Sequence, residues 1–131
     1  MTVLDTHVLI WWLGEPAKLS AKARRAVQSA IAASDLRVSA ASILEIATLV
    51  RRGRLVLSGS LDQWFADLRS VAELHIEPVT ADIAAHAGSF GTEMHGDPID
   101  RLVVATAMLA KEPLVSADAQ IRALPWLRTI W

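Results

Sequence analysis

Short unbroken apolar runs alternate along this chain with longer stretches in which apolar residues return every three or four positions. The short runs read as strands: Thr2-Val3-Leu4, Leu36-Arg37-Val38, His75-Ile76-Glu77, Pro113-Leu114-Val115, and Arg128 to Trp131. The intervals read as helices. Ser20 caps a stretch through Ala33 in which Ala23, Val27 and Ile31 recur every four residues, and Ser60 with Gln63 forms a capping-box pattern for Leu61 to Ser70. Thr80 starts a helix to about Ser89, and the segment containing Gly91 and Gly96 reads as a loop. Asp97-Pro98 then supplies an N-cap and a first-turn proline for a helix reaching about Ala110, and Ser116 or Asp118 caps a last turn from Ala119 to Leu124. Strands separated by helices favour parallel crossovers. The expected fold is therefore α/β, one three-layer α/β/α domain over residues 1–131, with a mostly parallel central sheet of four to five short strands.

The pattern also decides where chemistry would gather, because ligands of such folds collect beyond the carboxyl ends of the strands. Four carboxylates fall at or near such positions. Asp5 closes the first strand, Asp118 follows the fourth, Asp100 lies in the first turn of its helix, and Glu45 lies inside an apolar helix. Each has an ordinary structural job as well. Asp5, Asp97 and Asp118 are good helix N-caps, and Ser42-x-x-Glu45 matches a capping box unless Ser39 is the cap, in which case Glu45 sits in the second turn. Asp100 is the hardest to explain that way. Val103, Val104 and Ala107 follow it at helical spacing, so its carboxylate leans over an apolar face and needs a hydrogen bond, a proton or a cation. Several converging carboxylates repel one another unless a divalent cation compensates, and an oxygen-only donor set favours Mg²⁺, with Mn²⁺ as a substitute. Phosphoryl chemistry is the natural use of such a centre.

Composition narrows the choice. Zero cysteines exclude a disulfide framework or a thiolate metal site, which fits a reducing compartment, and the chain is expected to be cytoplasmic. The apolar run Val8 to Leu13 is too short to span a membrane. Thirteen basic against fourteen acidic residues give a formal net charge of −1, so any attraction for nucleic acid must be local. Arg51, Arg52 and Arg54, just after the Glu45 helix, and Arg101, beside Asp100, form the candidate basic patch; an arginine run there would also complement the helix dipole. Hydrophobic residues make up 53% of the chain and mean hydropathy is +0.35, which hints at apolar surface covered by a partner or a second copy. Trp11 and Trp12 could stack bases but fit core or interface positions better.

The strings Leu4-Asp5-Thr6-His7-Val8-Leu9-Ile10-Trp11-Trp12-Leu13, Ser39-Ala40-Ala41-Ser42-Ile43-Leu44-Glu45-Ile46-Ala47 with Arg52-Gly53-Arg54-Leu55, His95-Gly96-Asp97-Pro98-Ile99-Asp100-Arg101-Leu102-Val103-Val104-Ala105, and Leu114-Val115-Ser116-Ala117-Asp118 occur in that order. Together they resemble the PIN-domain ribonucleases, and specifically the VapC-type toxins of toxin–antitoxin pairs, over essentially the whole chain. The resemblance implies a PIN-like fold and a Mg²⁺-dependent endoribonuclease whose metal-binding, catalytic acids are Asp5, Glu45, Asp100 and Asp118, with Thr6, Asp97 and Ser116 as secondary polar positions. It further implies an antitoxin partner, operator DNA engaged only through that antitoxin, a homodimer, and no membrane association. Ala117 departs from the family pattern, which often has a basic or polar residue there. In-line attack by an activated water requires no histidine pair, so His7, His75, His86 and His95 carry no general-base assignment, and His95 draws interest only through its closeness to Asp97.

Two other readings remain at this level. A haloacid-dehalogenase-like phosphatase also has an Asp after its first strand but wants an acid two residues on, where this chain has His7, and a receiver domain lacks its acid pair for the same reason. A non-catalytic binding module of the same fold would have no need of all four acids.

Overall fold

The structure, a computed structural model, describes residues 2–131. Its strands are β1 (Thr2–Leu4), β2 (Leu36–Ser39), β3 (Leu74–Glu77), β4 (Leu114–Val115) and β5 (Thr129–Ile130), and its helices are α1 (Thr6–Gly14), α2 (Ala21–Ala32), α3 (Ala40–Arg51), α4 (Leu61–Arg69), α5 (Ala81–Ser89), α6 (Pro98–Ala110) and α7 (Ala119–Arg122). All pairings in the sheet are parallel, in the order β3-β2-β1-β4-β5. Chain order therefore reverses direction between β1 and β4. Loops after those two strands diverge to opposite sides and leave a crevice at the carboxyl edge, where α/β sheets bind their ligands.

Strand periodicity explains the three layers. Val3 and Leu114 point into a cluster with Val103, Val104 and Ala107 of α6 and Ile121 of α7, whereas their neighbours Leu4 and Val115 point into a second cluster with Val8 and Leu9 of α1 and Ala23 and Val27 of α2. One residue of strand separates two cores. Every side chain of β1, and both of β4, is buried, which is why these strands read as apolar runs rather than as alternating ones. Among the described residues no helix is long and apolar enough to cross a membrane.

Two capping expectations need correction. Ser39, not Ser42, is the N-cap of α3: its hydroxyl accepts from the Ala41 N–H at 3.0 Å, so the Ser42-x-x-Glu45 capping box does not form. At α4, Ser60 does accept from the Gln63 N–H, but the Gln63 amide donates to Asp67 Oδ1 at 2.8 Å instead of reaching back to the cap. The i,i+4 partner wins because it lies on the same helical face. A one-turn 3₁₀ helix at Pro16–Lys18 was not expected from the pattern.

Three helices end with the same device. After α2, α3 and α6 the chain turns through a left-handed residue, Ser34 (φ 54°), Gly53 (φ 69°) and Lys111 (φ 57°). In each, the next N–H returns to the carbonyl five residues back: Asp35 to Ala30, Arg54 to Leu49 and Glu112 to Ala107, at 2.8–3.0 Å. Only one of the three positions is glycine. Lys111→Gly removes the steric cost of a Cβ in the left-handed region and should raise unfolding free energy by about 0.5–1 kcal/mol in urea titration.

Candidate metal centre

The crevice between β1 and β4 holds the acids. Asp5, directly after β1, is 5% exposed; its Oδ1 accepts from the Thr6 N–H at 2.8 Å and its Oδ2 from the Ser116 hydroxyl at 2.7 Å. Ser116, directly after β4 and fully buried, also accepts from the Asp118 N–H at 3.1 Å, so one hydroxyl ties the ends of the two strands together. Asp118 then caps α7, taking the Gln120 and Ile121 N–H groups on Oδ1. From the other side of β1 comes α3. Its Ser42, fully buried, is hydrogen-bonded at 2.9 Å to the Thr6 hydroxyl, which also approaches Glu45 one turn further along. With Ser39 as the cap, the sequence sets Ser42 on one narrow polar stripe with Glu45, and that end of the stripe faces the crevice.

The remaining groups arrive on α6 and the loop before it. Asp97 caps α6 with Oδ1, accepting from the Ile99 and Asp100 N–H groups. Ligand oxygens of Glu45, Asp97 and Asp100 lie within 4.8 Å of one another, and so do those of Asp100, Asp118 and a nitrogen of His95. Asp100 belongs to both groups. Asp97 thus stands closer to Glu45 and Asp100 than its secondary rank in the sequence suggested, while Asp5 touches the set through charge and through Ser116 rather than as a member of either group.

His95 Nδ1 accepts from the Asp97 N–H at 3.4 Å, and its Nε2, 3.3 Å from Asp100 Oδ2, is buried without a hydrogen-bond partner. His7, His75 and His86 lie elsewhere: His7 is exposed on α1, His75 reaches the Ser34 carbonyl, and His86 packs edge-on against Phe90.

Electrostatics reflect the crowding. Burial, then the charges of Asp5, Asp97, Glu45 and Asp118, push Asp100 from its ordinary value of 3.8 up to about 7. Burial also raises Asp5, against the hydrogen bonds from Ser116 and Thr6, and raises Glu45, against the hydrogen bond from Thr6. Carboxylate oxygens this close suit a hard divalent cation, which would supply the missing positive charge.

The arginines divide. All five N–H groups of Arg101 are spent on backbone carbonyls, those of Ala87, Phe90, Gly91, Met94 and His95, at 2.9–3.2 Å. Arg101 therefore builds the loop that presents His95 and Asp97, which leaves its donors unavailable to a phosphate. Arg51, Arg52 and Arg54 are exposed at and just beyond the end of α3, with Arg51 about 9 Å along the helix axis from Glu45.

A family model described as PIN domain matches residues 2–127. The chain belongs to the PIN-domain family. Within that family it is a VapC ribonuclease homologue, 36% identical over 133 aligned positions to Ribonuclease VapC22 of Mycobacterium tuberculosis, with 98% of this chain and 97% of the relative covered. Solved structures share the PIN fold. VapBC2 from Rickettsia felis, bound to a DNA fragment from its promoter, aligns with a TM-score of 0.71 at 16% identity, covering 98% of this chain and 96% of that one. VapC20 of Mycobacterium tuberculosis, a sarcin-ricin loop cleaving toxin, aligns with a TM-score of 0.63 at 19% identity, covering 98% and 99%.

Two outcomes follow from this geometry. The folded protein holds the Asp100 proton more tightly than the unfolded chain does, so this PIN-domain centre contributes most stability below pH 3.8 and loses it as pH rises towards about 7. The thermal unfolding midpoint of the metal-free protein should fall between about pH 4 and about pH 7, Asp100→Asn should flatten that fall, and added Mg²⁺ or Mn²⁺ should raise the midpoint more at the higher pH. Arg101→Lys keeps the charge but cannot serve five carbonyls. It should lower unfolding free energy by about 2–3 kcal/mol in urea and speed amide hydrogen exchange across residues 90–97.

Proposed function

We propose that this protein is the toxin of a toxin–antitoxin pair, a Mg²⁺-dependent endoribonuclease that hydrolyses RNA phosphodiester bonds. The observation that carries the reading is the gathering of acids about Asp100, whose carboxylate lies in two groups with ligand atoms within 4.8 Å of one another, one with Glu45 and Asp97 and one with His95 and Asp118, and is thereby pushed up to about 7, in a PIN-domain chain 36% identical to a named ribonuclease. A carboxyl group held this far from its ordinary state has poor value as structure alone. Its position at the strand switch point is where substrate would enter.

Asp5, Glu45, Asp100 and Asp118 would hold the cation, with Asp97 beside Glu45 and Asp100 as a further oxygen donor and Mn²⁺ able to replace Mg²⁺. The chemistry a bound Mg²⁺ supplies is polarisation of the scissile phosphate and acidification of an attacking water. Ser116 and Thr6 act as positioning residues: by occupying both oxygens of Asp5 and bracing Glu45, they keep the acids from swinging into solvent to relieve their repulsion. Arg51, Arg52 and Arg54, exposed and outside the acidic crevice, would take phosphates flanking the cleaved one.

The antitoxin reading rests on the relatives and on exposed apolar surface. Several of the structural neighbours are toxin–antitoxin complexes, three of them bound to DNA, so operator DNA would be met through the antitoxin. On this chain Val56 is 91% exposed at the mouth of a cavity of about 400 Å³ lined by Ile10, Leu13, Leu55, Leu57 and Trp64, a surface suited to an apolar partner segment. A homodimer in the cytoplasm completes the proposal.

Purified protein should cleave RNA in Mg²⁺, leave 5′-phosphate ends, and stop in EDTA. Asp100→Asn or Asp5→Asn should lower the rate by at least about a hundredfold while circular dichroism stays unchanged. Cleavage that survives both EDTA and Asp100→Asn would refute the reading.

A further inference from the structure

The two ligand groups that meet at Asp100 differ in kind. Glu45, Asp97 and Asp100 offer oxygen only, whereas the second group sets a ring nitrogen of His95 beside oxygens of Asp100 and Asp118, all within 4.8 Å of one another. Carboxylates and water suit Mg²⁺, while an imidazole shifts preference towards later first-row ions such as Co²⁺, Ni²⁺ and Zn²⁺. A hydrolytic centre of acids needs no histidine, so the proposed reaction leaves His95 without a part.

Three observations separate His95 from an ordinary surface histidine. Its Nε2 is buried and lies 3.3 Å from Asp100 Oδ2, close enough for a hydrogen bond, yet the nitrogen is not directed at the oxygen and no hydrogen bond forms. Two donors of one tetrahedral cation, at bonds of about 2.0–2.1 Å, stand about 3.3–3.4 Å apart, so the pair has the spacing of fellow ligands. The backbone that carries the ring is fixed as well. Arg101 holds the carbonyls of Met94 and His95 at 3.2 and 3.0 Å, and Met94, 3% exposed, is sunk in the cluster of Val103, Val104 and Ile121. On the third side Asp118 takes its cap bonds on Oδ1, which leaves Oδ2 for a cation. Simple pairing of a charged imidazole with Asp100 would explain the 3.3 Å contact but not the approach of Asp118.

We propose that His95, Asp100 and Asp118 form a mixed nitrogen-and-oxygen position that takes Co²⁺, Ni²⁺ or Zn²⁺ in preference to Mg²⁺, with Nε2 of His95 as the ligand atom. Ligation by Nε2 puts the ring proton on Nδ1, and the contact from the Asp97 N–H, already long at 3.4 Å, is given up. Asp97 is exposed, so water can take that N–H. The position rests on the proposed nuclease reading only in that these acids bind a cation; it needs neither RNA nor cleavage.

Untagged, metal-free protein titrated with Co²⁺ tests this. In calorimetry, His95→Asn, which keeps a polar side chain but offers no imidazole, should lower Co²⁺ affinity at least about tenfold and leave Mg²⁺ affinity within about twofold of the wild type. In the proton NMR spectrum of the Co²⁺-loaded wild type, a ligated imidazole gives a strongly shifted ring N–H resonance that disappears in D₂O; it should be present there and absent from His95→Asn. A chain carrying His7→Asn, His75→Asn and His86→Asn leaves His95 as its one imidazole and should keep the resonance, so the assignment stands even where His95→Asn does not fold. Equal loss of Co²⁺ and Mg²⁺ affinity in His95→Asn would reduce His95 to a countercharge for Asp100, and that result, or no shifted N–H in the wild type, overturns the proposal. The His95 signal in a chain that cuts no RNA would uphold the position and sink the nuclease reading, and Mg²⁺-dependent cleavage without the signal would do the reverse.

Discussion

Crowding carboxylates at one edge of a parallel sheet, partly out of water, is the constraint around which this molecule is arranged. Left alone, the acids would separate, take up protons or turn outward, since each lowers its energy by escaping the others. The fold prevents the first and the last. Asp5 is pinned on both oxygens, Asp97 and Asp118 are pinned on one oxygen each by helix caps, and Glu45 is braced through Thr6. What remains is protonation, and Asp100, the member common to both ligand groups, is the one pushed to about 7. On the proposed reading, the centre would thus be held ready for a cation at a standing cost in folding stability.

Capping and ligation are not rival explanations of these acids. A cap uses one oxygen of a carboxylate to satisfy backbone N–H groups, which fixes the side-chain torsion and aims the second oxygen. For Asp97 and Asp118 the bonds from backbone all fall on Oδ1. On the proposed reading, helix starts and metal ligands would coincide because both want an acid at the point where a strand or loop hands over to a helix. The same economy explains Arg101, whose five bonds to the 87–95 carbonyls organise the segment that carries His95 and Asp97.

Much of this was legible in the sequence, for reasons that differ from residue to residue. Strands buried on both faces announce themselves as apolar runs, and Asp97-Pro98 announces a helix by chemistry that needs no tertiary context, so the sheet and α6 could be placed closely. Asp100 could be picked out because an acid at helical spacing from Val103, Val104 and Ala107 is anomalous by itself. The function of Ser42 and the true cap of α3 could not: Ser39 and Ser42 are chemically alike, and only the packing of Thr6 against α3 decides between them. Arg101 misled for a similar reason. Adjacent to an acid in sequence, it turns its guanidinium to carbonyls on a loop whose path the sequence does not encode locally. Left-handed caps at Ser34 and Lys111 escaped notice because glycine, their usual signal, appears at Gly53 alone.

On the proposed reading, a hydrolytic centre built of acids would be blind to base identity, since all that it would grip belongs to phosphate and water. Discrimination among RNAs would then come from side chains around the crevice. Past α3 lie exposed arginines, which draw any polyanion and read no sequence. On the proposed reading they supply the local attraction that a chain of net charge −1 lacks overall.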